Sequence, residues 1–302
     1  MTEILVLLSI AGIAIGKIPA LRMNRASIAA TGAALLILTK SISLEDAYGA
    51  VDLNTIVLLF SMMVFNANLR FAGFFAIAGR ALKRSSRNPA ILLLLILLFS
   101  SVLSALFIND PLVMMLTPIV CDVTLSMGLN PLPYLLGLAV SANIGSMATI
   151  IGNPQNILIG ASSGMAFGTF SLHLVPPALI ILAIAWLLIL QLFRKDFAAI
   201  QMPKYTNERI FIYKPLLIKS MVSFALMAIC VAIGLPVSLA GLAGASLLLI
   251  TRRVAPERVF ADIDWSLLVL FPSLFVITKA ASQSAGFHFF YEHIGQLMNK
   301  SP

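Results

Sequence analysis

Two polar stretches interrupt apolar surroundings in this sequence of 302 residues. The first is Phe107-Ile-Asn-Asp-Pro-Leu-Val-Met-Met-Leu-Thr-Pro118. Asn109 and Asp110 sit inside an apolar run, 90–127, that is too long for one simple crossing of a bilayer. Pro111 suits the first position of a helix, and Asn109 or Asp110 suits the cap before it. The pattern predicts a helical hairpin whose tip lies inside the protein and exposes the N-terminus of a helix over 111–127. Free N–H groups and the positive dipole end there can hold an anion, while the cap oxygens can hold a cation or a proton. The alternative is a tight turn between two full spans at the outer surface, because Asn-Asp-Pro is also ordinary turn chemistry.

The second stretch is Ser141-Ala-Asn-Ile-Gly-Ser-Met-Ala-Thr-Ile-Ile-Gly-Asn-Pro-Gln-Asn156. It carries Asn143, Thr149, Asn153, Gln155 and Asn156 between apolar flanks. Gly145 and Gly152 permit unwinding, and Pro154 breaks the hydrogen-bond ladder. Non-helical backbone is tolerated at membrane depth where it is buried in protein or lines a wet cavity. The prediction is a discontinuous helix whose carbonyls and side chains coordinate an ion; a polar packing seam of small residues is the alternative. Arg70 and Lys279 are candidate intramembrane charges, although both lie near enough to segment ends to snorkel. Cys121 and Cys230 read as packing residues, and His173, His288 and His293 as interfacial. No Ser/His, Cys/His or His-Glu-x-x-His arrangement supports an enzyme, and no metal site is expected.

The elements that must position these groups are membrane helices. The chain is 60% hydrophobic and 11% charged, with a mean hydropathy of +1.01, against about 25% charged residues in a soluble domain. Strand alternation is absent, which excludes an outer-membrane barrel. Spans are predicted near 4–20, 27–39, 54–79, 90–107, 110–127, 133–165 (interrupted), 172–193, 215–233, 237–251 and 265–283. The net charge of +8 comes in short loop clusters, so nucleic acid is not the expected partner. One cluster is Arg80, Lys83, Arg84 and Arg87. A second is Arg194, Lys195, Lys204, Arg209 and Lys214, and a third is Arg252, Arg253 and Arg258. Placing them in the cytoplasm puts Lys17, Arg22 and Arg25 inside and the acidic Glu45, Asp46 and Asp52 outside, with the N-terminus outside a multi-pass inner membrane protein. Met1-Thr2-Glu3 lacks the positive start of a secretory signal, so the first apolar block is expected to be a retained helix.

The sequence also repeats. Residues 32–58 resemble 244–270 at a constant spacing of 212, which matches Gly32 with Gly244, Thr39 with Thr251, Glu45 with Glu257 and Asp52 with Asp264. Ala72-Gly73-Phe74 echoes Ala285-Gly286-Phe287. The intervening loop is acidic in the first copy and basic in the second, which suggests opposite orientations, as in many secondary transporters. The division expected is 1–193 as a first repeat of three spans, hairpin 90–127, broken helix 133–165 and closing helix. A cytoplasmic basic loop, 194–214, follows, and then a partial second repeat, 215–302. The spacing puts a second hairpin near residue 301 (89 + 212), so the second repeat is expected to be incomplete.

The hairpin followed by Ala-Asn-Ile-Gly-x-x-Ala-Thr-x-Ile-Gly-Asn-Pro-x-Asn resembles the ion-transporter superfamily, in particular its arsenite-permease and NhaD-type, citrate-transporter-like permeases. The resemblance covers the whole chain. It implies an all-α inverted-repeat fold with a re-entrant hairpin and a discontinuous helix. One half of the ion and substrate site would then comprise Asn109, Asp110, Asn143, Gly145, Thr149, Gly152, Asn153, Gln155 and Asn156. The implied activity is secondary transport of a small inorganic or organic anion coupled to Na⁺ or H⁺, without a cofactor, and with Asp110 as the titrating or cation-coupling group. Sodium–proton antiport is the alternative, and a non-transporting truncated remnant the second. The partners expected are the small ion or anion and the lipid bilayer, with a homodimer left open.

Overall fold

The computed structural model describes residues 1–18, 22–85, 88–197, 211–250, 254–284 and 286. Arg87, Lys204, Arg209, Arg252, Arg253, Ala285, Phe287, His288, His293 and the position near 301 therefore lie outside the described residues. The chain opens with α1 (Thr2–Ile15), a two-residue hairpin of β1 (Lys17–Ile18) and β2 (Met23–Asn24), α2 (Arg25–Leu38) and the short α3 (Leu44–Ala50). Next come α4 (Leu53–Phe71), α5 (Phe74–Ser85), α6 (Pro89–Leu106), α7 (Asn109–Ser126), α8 (Leu132–Ser146) and α9 (Pro154–Ser163). The remaining elements are α10 (Phe167–Leu192), α11 (Lys214–Ala232), α12 (Val237–Leu249), α13 (Pro256–Ala261) and α14 (Trp265–Ser282). Among the described residues the protein is all-α apart from the small hairpin, which is antiparallel with Lys17 opposite Asn24.

Five of these helices are long and apolar enough to cross a bilayer among the described residues: α4, α6, α10, α11 and α14. Shorter apolar helices, α1, α2, α8 and α12, accompany them. The outer surface is apolar, with Leu7, Leu98, Leu172, Leu187 and Ile218 exposed, as expected where lipid is the solvent.

Two predicted spans differ from the structure. The segment 4–20 is helical only to Ile15, because Gly16 takes a left-handed φ of +86° and ends the helix. The segment 54–79 is two helices: Gly73, at φ +81°, stops α4, and α5 continues as a basic amphipathic helix. A Cβ at Gly73 would stand 2.5 Å from the Phe211 carbonyl oxygen, so the backbone approach there requires glycine.

The chain divides into two units. In the first, residues 1–56 and the chain from Asp264, α2 packs against α1 and α14 around Val6, Ala29, Leu36, Ile277 and Ala280. α2 and α14 begin side by side, since Arg25 and Ala26 share a cavity with Ser266 and Leu267. In the second unit, 57–263, α8 lies against α6, α7 and α10, and α12 approaches α4 through Gly241 and Gly244. Helix starts recur at the spacing read from the sequence: Thr2 and Lys214, Arg25 and Val237, Leu44 and Pro256, Leu53 and Trp265 are each 212 apart.

Candidate functional site

The hairpin of α6 and α7 turns at Phe107 and Ile108, both buried, and Asn109 is only 8% exposed. The turn from Phe107 to Asn109 is thus enclosed by protein, with Asp110 exposed beside it. α7 begins at Asn109 with Ile108 in the cap position and no side-chain cap. The expected capping by Asn109 or Asp110 does not occur, and Pro111 is the third helical residue. Proline fits there because first-turn N–H groups have no intrahelical partner to lose. Asn109 is used elsewhere: its Nδ2 donates to Asn143 Oδ1 at 3.2 Å, and its backbone N–H donates to the Gly152 carbonyl at 3.2 Å.

Those two bonds tie the tip to the end of one neighbouring helix and to the break that follows it. α8 stops at Ser146, and α9 starts at Pro154 with Asn153 as its cap, whose Oδ1 accepts from Asn156 N at 2.8 Å. The seven residues between, 147–153, are non-helical. Several of their carbonyls accept hydrogen bonds, that of Gly152 from Asn109 N and that of Asn153 from Ile157 N at 3.1 Å. Asn156, buried, aims its Nδ2 at the carbonyls of Ser146 (3.2 Å), Met147 (3.2 Å) and Thr149 (2.9 Å). Asn153 Nδ2 donates to Ser146 Oγ at 3.1 Å. The Thr149 hydroxyl donates to the Ala105 carbonyl on α6.

The glycines act by close approach. Neither has a positive φ. A Cβ on Gly145 would lie 2.1 Å from the Ser101 carbonyl oxygen, and one on Gly152 would lie 2.3 Å from that of Ser146. Gly145 is the last of a ladder, Gly137, Ser141, Gly145, that lets α8 settle on α6. On the α6 side, the Ser100 hydroxyl bonds that of Ser141, and Ser104 Oγ donates to the Ala142 carbonyl at 2.6 Å. Sequence reasoning passed over Ser100 and Ser104. Their spacing of four within an apolar helix is the available signal.

Of the nine expected site residues, the structure joins Asn109, Asn143 and Gly152 directly. Asn153, Asn156 and Thr149 hold the break in shape. Asp110, Asn143 and Gln155 are exposed around the assembly. An aromatic chain leads away from the tip: the Phe107 ring is 5.3 Å from that of Phe224 on α11, which is 6.0 Å from Phe65 on α4.

Arg70 is 46% exposed, and its guanidinium pairs with Asp262 and lies 5.2 Å from the centre of the Phe71 ring. The other Asp262 oxygen is buried without a partner. Burial raises the Asp262 carboxyl above its usual range, and Arg70 only partly opposes this. Lys279 is exposed in the last turn of α14. Cys121 and Cys230 are free thiols, and His173 is exposed, with Nδ1 2.7 Å from the Thr169 carbonyl oxygen.

Residues 5–302 match a family described as citrate transporters. The chain is 32% identical over 274 residues to a 46 kDa membrane protein of Mycobacterium leprae, covering 86% of this chain and 64% of that one. It is 38% identical over 180 residues to a silicon efflux transporter of Oryza sativa subsp. japonica, covering 60% of this chain and 37% of that protein. An inner membrane protein of Escherichia coli (strain K12) is 27% identical over 240 residues, 78% of this chain and 61% of its own length. The chain spans less than two thirds of the length of these relatives.

Proposed function

The chain belongs to the citrate transporter family, and on that premise we propose that it carries one half of the substrate and ion site of a secondary active transporter for a small anion. The observation that carries the reading is the double attachment of Asn109, by side chain to Asn143 and by backbone to Gly152. It brings a buried hairpin tip and a broken helix into one structure whose rim is amide, carbonyl and carboxylate. The N-terminus of α7 has no side-chain cap; Asn109 N–H is committed to the Gly152 carbonyl and Pro111 has none, so it is the positive dipole end, not a set of free N–H groups, that favours an anion here. We assign Asp110, in that first turn, the role of engaging a coupling Na⁺ or H⁺. An inorganic oxyacid or its anion is the first substrate class to test, a silicon efflux transporter being among the relatives, and a carboxylate the second.

The recurrence of helix starts at a constant spacing of 212 supports reading the two copies as repeats, and the reversed loop charge supports taking them as inverted. The exposed Asp110 carboxylate also favours a second reading, Na⁺/H⁺ antiport. Counterflow in proteoliposomes of the full-length protein tests both. Asp110→Asn is expected to abolish coupling to the ion gradient, and unchanged transport with an unchanged pH profile refutes the role. Proton movement driven by Na⁺ with no anion present selects antiport.

A further inference from the structure

In the unit formed by residues 1–56 and the chain from Asp264, the end of α1 meets the starts of α2 and α14 around an open cavity of about 480 Å³. Lys17, Asn24, Arg25 and Ser266 supply its polar lining, and Ile15, Leu267 and Leu270 part of its apolar wall. Among the described residues no carboxylate lines it. Asp264, two residues before Ser266, accepts with Oδ1 from Leu267 N at 3.2 Å, and Asn24 Oδ1 accepts from Ser27 N at 2.9 Å. The two helix starts are therefore already capped. What remains for a ligand is the pair of exposed cations, Lys17 and Arg25. Arg25 lies across the backbone of Gly16, where a Cβ would stand 3.1 Å from its Nε.

The depth of the cavity is marked independently. Trp265, exposed beside Ser266, is the residue type that gathers at lipid headgroup level. Ile15, also exposed, continues the apolar wall outward. A soluble anion would use the cations and leave that wall in water. A phosphodiester bearing an acyl chain uses both. We propose that this cavity is a headgroup site for an anionic phospholipid, with the phosphate between Lys17 and Arg25 and an acyl chain along Ile15, Leu267 and Leu270.

The test is native mass spectrometry of the full chain in detergent micelles, titrated with phosphatidylglycerol or with phosphatidylcholine of the same acyl chains. Phosphatidylglycerol is expected to bind at least about tenfold more tightly. Lys17→Gln with Arg25→Gln should weaken it about thirtyfold, at about fivefold for each basic side chain near the surface. Lys40→Gln, at the opposite end of α2, should leave binding unchanged. Both lining cations are exposed, and either single variant, at about fivefold, keeps the test decisive should the double variant fold poorly. Equal binding of the two lipids, unchanged binding in the lining variants, or an equal loss in Lys40→Gln overturns the proposal. Displacement of phosphatidylglycerol by millimolar inorganic phosphate also overturns it, by showing a free-anion site instead.

Discussion

Asn156 decides whether the break between α8 and α9 is a built structure or a loose loop. Its Nδ2 stands within 3.2 Å of three carbonyl oxygens, those of Ser146, Met147 and Thr149, all facing a buried amide. An amide group has two hydrogens, so two of the three carbonyls are satisfied at once. Asn156→Leu keeps the volume and strands those acceptors. Leaving a buried acceptor unpaired costs about 1–3 kcal/mol, so the substitution is expected to cost about 2–4 kcal/mol. On the scaling for chains of 150–250 residues this lowers Tm by about 5–12 °C. Asn156→Asp should cost more, because carboxylate oxygens only accept and would face three carbonyls. The assay is thermal unfolding in micelles, paired with amide hydrogen exchange over 147–153. Exchange in that segment should accelerate more than in α10. A Tm within about 1 °C of the parent, with unchanged exchange over 147–153, would refute the claim that Asn156 holds the break closed.

Two further expectations follow from packing and from charge. Gly145→Ala puts a methyl group 2.1 Å from the Ser101 carbonyl oxygen, forcing α6 and α8 apart at a cost of about 1–3 kcal/mol; Gly49→Ala, with nothing within 4 Å of its Cβ, is the control and should match or slightly exceed the parent in thermal unfolding. Asp262 has a raised pKa, so the folded protein holds this proton more tightly than the unfolded chain. Its contribution to stability therefore falls as pH rises from the ordinary carboxylate range up to its own pKa, and is flat above. Asp262→Asn is expected to remove that portion of the acid-side pH dependence, read as Tm against pH. At pH 7 it should be neutral to mildly stabilising, because Arg70 is half-exposed and can hydrate. An unaltered profile would show that the buried oxygen of Asp262 is not what titrates.

Much of this protein is legible in one dimension. Apolar blocks give the membrane helices because the bilayer demands long uninterrupted runs. The two polar interruptions mark the hairpin tip and the helix break, since Asn, Gly and Pro change backbone conformation locally. The spacing of 212 between copies is visible because it needs only residue identity, and the helix starts recur at the same distance. The sequence alone also singled out the residues that meet at the tip and the break.

Their roles were decided by the tertiary structure. Asn109 reads as a cap, but α8 brings Asn143, 34 residues away in the chain, within its reach, and the hairpin turns one residue earlier than Asn-Asp-Pro suggests. Gly145 reads as a point of unwinding, yet it is helical and is required by the backbone of Ser101 on another helix. Arg70 reads as an isolated charge until Asp262, 192 residues distant, pairs with it. Composition and periodicity report the solvent and the local backbone, whereas hydrogen-bond partners and close approaches depend on which distant helix faces arrive together, and no local pattern records that.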